Sequence, residues 1–150
     1  MSHYRRILVP VDGSESSNRA LVAALQLARD SGGRVRAIHH VDELSYLRPS
    51  TNPRAVIEAV QADAQHVLAA ALAICQSAGV PADTRMVEGL GRRLGEAVAD
   101  EARAWEADLV AIGTHGRRGL GRALLGSGAE QIIRLAPVAV LVVRDPVPQP

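Results

Sequence analysis

Apolar residues switch along this chain between short continuous runs and spacings of three and four, from one end to the other. Arg6 to Val11 is the first run, suited to the middle of a parallel sheet buried on both faces. Asp12-Gly13-Ser14 ends it. Asp12 or Ser14 caps a helix with Ala20, Leu21, Ala24, Leu25 and Ala28 on one face, and Gly32-Gly33 stops that helix. Val35, Ala37 and Ile38 carry a second strand into His39, His40 and Val41. Asp42 to Asn52 has no period and reads as a mobile loop. Asn52-Pro53 then opens a long alanine-rich helix, with Ile57, Val60, Ala64, Val67, Leu68, Ala71, Leu72 and Cys75 in register until Gly79, long enough to cover a whole sheet face. Ala82 to Val87 is a third strand whose Asp83 and Arg85 suit an exposed edge. A helix through Leu94, Ala97, Val98 and Ala102 follows, with Trp105 as a hydrophobic plug at its end. Asp108 to Ile112 is the fourth strand and Val138 to Val143 the fifth. Between them Ser127 and Glu130 have the form of a capping box, which predicts a helix from Ser127 through Ile132, Ile133 and Leu135.

Alternation of strand and helix demands parallel strands, right-handed crossovers and helices on both faces. A length of 150 residues leaves room for one domain, read as 1–144, with the proline-rich 145–150 as a disordered tail. Hydrophobic residues make up 47% and aromatics only 2%, so the core must be built from Ala, Val, Leu and Ile. A net charge of +1, without arginines interleaved among aromatics, argues against nucleic acid, and no apolar run reaches membrane-spanning length. The absence of a signal peptide makes the cytoplasm the expected location. Cys75, the single cysteine, lies on the apolar side of its helix and reads as a small buried hydrophobe.

The candidate chemistry lies in Val110 to Glu130, where an apolar strand breaks into Gly113, Gly116, Gly119, Gly121, Gly126 and Gly128. Such a run suits backbone donors closing on an anion at a helix N-terminus, aided by Arg117, Arg118 and Arg122; it also suits a structural turn or a protein-contact loop. In parallel sheets a ligand sits beyond the carboxyl ends of the strands, where strand order reverses. If strands one and four are neighbours there, Asp12 faces the glycines across one cleft. A nucleotide fits that pairing: Asp12 accepts from ribose hydroxyls, amides near Gly116, Gly126 and Ser127 hold phosphates, and Pro10, Val41 and Ile112 line a base slot, with the backbone of Val41 reading the base edge. His115 either touches a phosphate or caps the turn. Neither G-x-G-x-x-G nor a G-K-[ST] ending is present. His39 and His40 point to opposite faces and lack a third ligand at metal spacing. No paired carboxylates and no nucleophile with a base partner stand out, so no catalytic residue is assigned.

I-L-V-P-V-D-G-S-E at 7–15, A-D-L-V-A-I-G-T-H-G-R-R-G-L at 107–120, L-L-G-S at 124–127 and A-P-V-A-V-L-V-V at 136–143 resemble the universal stress protein family. Gly113, Gly116, Gly126 and Ser127 satisfy the G-x2-G-x9-G-[ST] pattern of its ATP-binding branch. The resemblance implies a three-layer α/β/α, Rossmann-like fold of the adenine nucleotide alpha hydrolase kind, its five-stranded parallel sheet in the order 3-2-1-4-5. It also implies ATP, with Mg²⁺ held by its phosphates. Asp12 would then lie near the ribose, Val41 at the adenine, and Gly113, Gly116, Gly126 and Ser127 along ribose and phosphates. It further implies a homodimer paired through Val138 to Val143, acting in the stress response on a regulatory partner. A slow ATPase or autophosphorylating enzyme, and a scaffold that no longer binds nucleotide, are the alternatives. Gly128 and Ala129 stand where the family often has a β-branched and a hydroxyl residue, and Ile112 where methionine is common.

Overall fold

The computed structural model describes residues 3–49, 52–89, 91–115 and 125–146. Its elements run β1 (Arg6–Pro10), α1 (Glu15–Ser31), β2 (Arg34–Val41), α2 (Pro53–Ala78), β3 (Ala82–Glu88), α3 (Leu94–Ala104), β4 (Leu109–Gly113), α4 (Ser127–Leu135) and β5 (Ala139–Val143). The five strands form one parallel sheet in the order β3-β2-β1-β4-β5, the order the family resemblance implies.

Side chains alternate across the strands and so build two cores. Ile7, Val9, Val35, Ala37, Leu109 and Ala111 meet α1 and α2, whereas Leu8, Ile38, Val87, Val110 and Ile112 meet α3 and α4. The long α2 does not cover its face alone: α1 lies over β1 and β4, and α2 over β2 and β3. At 26 residues α2 is about 39 Å long, against about 27 Å for the eight-residue β2. Its buried residues begin only at Ala64, so its first turns run past the sheet. There it meets a one-turn 3₁₀ helix, Glu43–Tyr46, inside the segment expected to be a loop without structure.

The helix ends follow the sequence signals. Ser14 Oγ accepts from Ser17 N at 3.2 Å, and Asn52 Oδ1 accepts from Arg54 N at 3.0 Å. Gly32 and Gly79 close α1 and α2 at φ 69° and 68°, where a Cβ would be strained. Cys75 is fully buried, and burial pushes its thiol pKa up. Asp83 of the edge strand β3 is paired: it receives Arg36 at 2.8 Å, and this hydrogen bond holds its carboxyl below the usual range. Arg36 also reaches the buried Glu101 of α3 at 3.1 Å. Trp105 is a plug, as expected, with the guanidinium carbons of Arg6 and Arg36 at 4.6 and 4.9 Å from its ring centroid. Among the described residues no helix is long and apolar enough to cross a membrane.

Candidate functional site

Strand order reverses between β1 and β4, and the ladder between the two strands stops short of their carboxyl ends. β1 pairs with β2 over five positions, Arg6 to Pro10, but with β4 only at Ile7↔Leu109 and Leu8↔Val110. The cause is Pro10. Arg6 O accepts from Asp108 N while Val11 N donates to Ile38 O, so even positions of β1 address β4 and odd ones β2. Position 10 therefore turns toward β4 the one backbone group that proline lacks, and the ladder stops short of it. This end of the sheet is the switch point, where parallel sheets hold their ligands in a crevice.

One lip of the crevice is the turn after β1. Asp12 is half-buried; its Oδ1 accepts from Ser14 N at 2.9 Å and its own N–H donates to Ser17 Oγ at 3.3 Å. Gly13, at φ 84°, supplies the left-handed step that lets the chain turn into α1. The other lip is the end of β4. A Cβ on Gly113 would stand 2.6 Å from Ser16 O, so the first turn of α1 lies directly on this glycine. The next residues are tied down: His115 N donates to Ser16 Oγ at 3.3 Å, and Thr114 O accepts from Gly126 N at 2.8 Å. Gly116 and Arg117, with Arg118 and Arg122, lie outside the described residues.

α4 begins at Ser127 as the sequence predicts, but Ser127 does not cap it. Gly126 is the N-cap, no side chain of the described residues caps the first turn, and Glu130 N donates to Gly126 O at 3.0 Å. The bond from Gly126 to Thr114 holds Gly126 extended, which starts the helix one residue before a capping box would place it. Ser127, Gly128 and Ala129 thus present N–H groups without intrahelical acceptors at the positive end of the helix dipole. Ser127 is exposed and Ala129 is buried. Gly128 has a packing reason: a Cβ there would stand 2.8 Å from Leu94 Cδ2 at the start of α3. Gly95, where a Cβ would stand 2.6 Å from Gln131 Cβ, draws the same two helices together.

The three apolar residues expected along a base slot do not share a face. Ile112 belongs to the α3–α4 core, and Pro10 has the parity of Leu8 in that core. The buried Val41 has the parity of Val35 and Ala37 on the α1–α2 side, so it can offer the crevice only its main chain. Its carbonyl already accepts from Gly89 N at 2.6 Å, leaving one lone pair. His39 turns the same way as Val41, with Nδ1 at 2.7 Å from Val11 O. His40 turns the other way, its Nε2 buried against Gly89 with no hydrogen-bond partner among the described residues. Burial first, then Arg92 and His39, push the His40 pKa below the ordinary value, against Asp42, which raises it.

Reasoning from sequence missed two residues at this end of the molecule, Arg19 and Asp145. Asp145, expected in the disordered tail, accepts from Arg19 Nη1 at 2.8 Å through Oδ1, and its Oδ2 lies 3.5 Å from His115 Nδ1. No local signal joins residues 126 apart. Thr114 Oγ1 lies 2.8 Å from the same Nδ1, so threonine, histidine and aspartate form no catalytic relay, which requires opposite ring nitrogens. The turn after β1 thus carries a carboxylate acceptor and the start of α4 a set of main-chain donors, groups suited to a ligand with hydroxyls at one end and an anionic group at the other.

Residues 3–144 match the model of the universal stress protein family. A universal stress protein of Methanocaldococcus jannaschii is 33% identical over 145 residues, covering 95% of this chain and 84% of that protein. The solved structure of universal stress protein UspA from Lactobacillus plantarum superimposes with a TM-score of 0.83 at 27% identity, over 96% of this chain and all of that one. A universal stress protein solved in complex with cAMP gives 0.72 at 25% identity, over 95% and 99%. The sequence blocks, the strand order and the family match agree, and this chain belongs to the universal stress protein family.

Proposed function

We propose that this chain binds ATP in the β1–β4 crevice and works as a nucleotide-dependent regulatory homodimer of the stress response. The observation that supports the reading is the end of the β1–β4 ladder at Pro10, at the switch point of the sheet, with the Asp12 turn following β1 and the start of α4 bonded to the residue after β4. Asp12 offers a half-buried carboxylate to ribose hydroxyls, and the first-turn amides of α4 offer donors to phosphates. Mg²⁺ would be held by phosphate oxygens and water, since among the described residues no three His, Cys, Asp or Glu side chains gather. The similar protein solved with cAMP supports an adenine nucleotide as the class of ligand.

Pairing of two copies through residues 138–143 is favoured by a difference between the sheet edges. β3 carries Asp83, Arg85 and Glu88, whereas Ala139–Val143 carries no charge to discourage a neighbour. Nucleotide binding between the α1 turn and α4 changes the surface that a regulatory protein partner reads in the cytoplasm.

Isothermal titration of the purified protein with Mg-ATP tests the reading. Gly126→Val keeps the N–H that bonds Thr114, in a backbone conformation valine accepts, while placing an isopropyl group beside the donors. Affinity is expected to fall at least about tenfold, ~1.4 kcal/mol. Equal binding by Gly126→Val would overturn the phosphate placement. Phosphate release that is abolished in both Gly126→Val and Asp12→Ala would make the protein a slow ATPase instead.

A further inference from the structure

We infer that Arg19, Asp145 and His115 form a clamp that positions the β4 end of the crevice for nucleotide, with Asp145 as the central positioning residue. The inference rests on the nucleotide reading above and names a control of the same site.

Three distant segments meet in this clamp. Arg19 lies one turn beyond Ser16 on α1, His115 is two residues past β4, and Asp145 is two residues past β5. The carboxylate divides its oxygens: Oδ1 takes Arg19 Nη1 at 2.8 Å, and Oδ2 faces His115 Nδ1 at 3.5 Å. An amide keeps one acceptor for Arg19 but puts an N–H in place of the oxygen that faces Nδ1. The second guanidinium nitrogen of Arg19 lies 3.6 Å from the exposed Glu15, a weak pair along α1. The His115 side chain is only 8% exposed, so it is held rather than free to turn into water.

His115 is gripped at two points, its main chain by Ser16 and its ring by Thr114 and Asp145. The neighbouring Thr114 carbonyl holds Gly126, the residue that starts α4. A shift of His115 therefore passes to the first turn of α4 through the adjoining peptide and one main-chain hydrogen bond, Gly126 N to Thr114 O. The carboxylate also ties β5, the proposed dimer strand, to the nucleotide lip, so pairing at that edge and ligand at the crevice act on one element.

Arg19 and Asp145 are 38% and 30% exposed, so the clamp contributes a modest amount. Titration with Mg-ATP is expected to show about a fivefold loss of affinity in Asp145→Asn and in Arg19→Gln. The double variant should be no weaker than either single one, and Asp145→Glu should stay near the parent. Parental affinity in Asp145→Asn, or additive losses in the double variant, would overturn the clamp. If the parent protein itself fails to bind ATP, the nucleotide reading falls, and the clamp is judged on ligand-free protein. Faster amide exchange at Thr114 and His115 in Asp145→Asn than in the parent then supports it, and equal exchange overturns it.

Discussion

The imidazole of His40 is buried against Gly89, and a Cβ at that glycine would collide with its Nε2. Desolvation is the largest influence on its pKa and lowers it; the charges of Arg92 and His39 act in the same direction, and the Asp42 carboxylate and a hydrogen bond to the Arg92 main chain act against them. The unfolded chain takes up this proton near pH 6.5, the folded chain only at lower pH. Between those points the unfolded state holds more protons, so stability is lost as pH falls. Urea unfolding should show this decline between pH 7 and 5, with a slope from this group of at most about 1.4 kcal/mol per pH unit. His40→Gln should flatten it, and an unchanged slope would assign the proton elsewhere. The sequence shows two adjacent histidines on a strand and so their opposite faces; it does not show that Gly89 closes over one of them. Gly113 teaches a related lesson. Its place in the glycine pattern is readable from sequence, but its need for no side chain comes from Ser16, which is far away along the chain and lies against it.

Among the elements, β1 is decided by one residue. Its apolar run predicts a buried central strand, which is what forms, yet the point where it leaves β4 depends on which neighbour position 10 faces. Pro10→Ala restores an N–H on the β4 side and should extend the ladder by one bond, worth about 1 kcal/mol. The expected result is measurable protection of the new amide at position 10 in hydrogen exchange, together with several-fold weaker ATP binding as the crevice narrows. An unprotected amide would mean that the strands part for another reason. α4 shows the opposite balance between local and distant forces. The S-x-x-E pattern at Ser127 locates the helix, but the long-range bond from Gly126 to Thr114 chooses the cap. Periodicity likewise reveals the length of α2 but not how it divides a face with α1, because a helix pattern records which side is apolar and not what lies opposite.

At the scale of the molecule, the sheet has one charged edge at β3 and one apolar edge at β5. Leu141 lies at the middle of β5, half-buried against the α1–α2 core. In an antiparallel pairing of two copies centred there, lysine at 141 sets like charges face to face. Leu141→Lys is therefore expected to move the protein from dimer to monomer in sedimentation equilibrium, with far-UV circular dichroism retained. A dimer of unchanged strength would remove β5 as the seam. The sequence by itself determined the alternation of strands and helices, most helix boundaries, the core composition and the glycine pattern, since each depends on residues close together in the chain. Tertiary structure alone decided that Pro10 ends the β1–β4 ladder, that Gly113 and Gly128 lie under other elements, and that Asp145 joins Arg19 to His115. Those contacts join segments far apart in the chain, and their partners become neighbours only when the sheet has set its strand order.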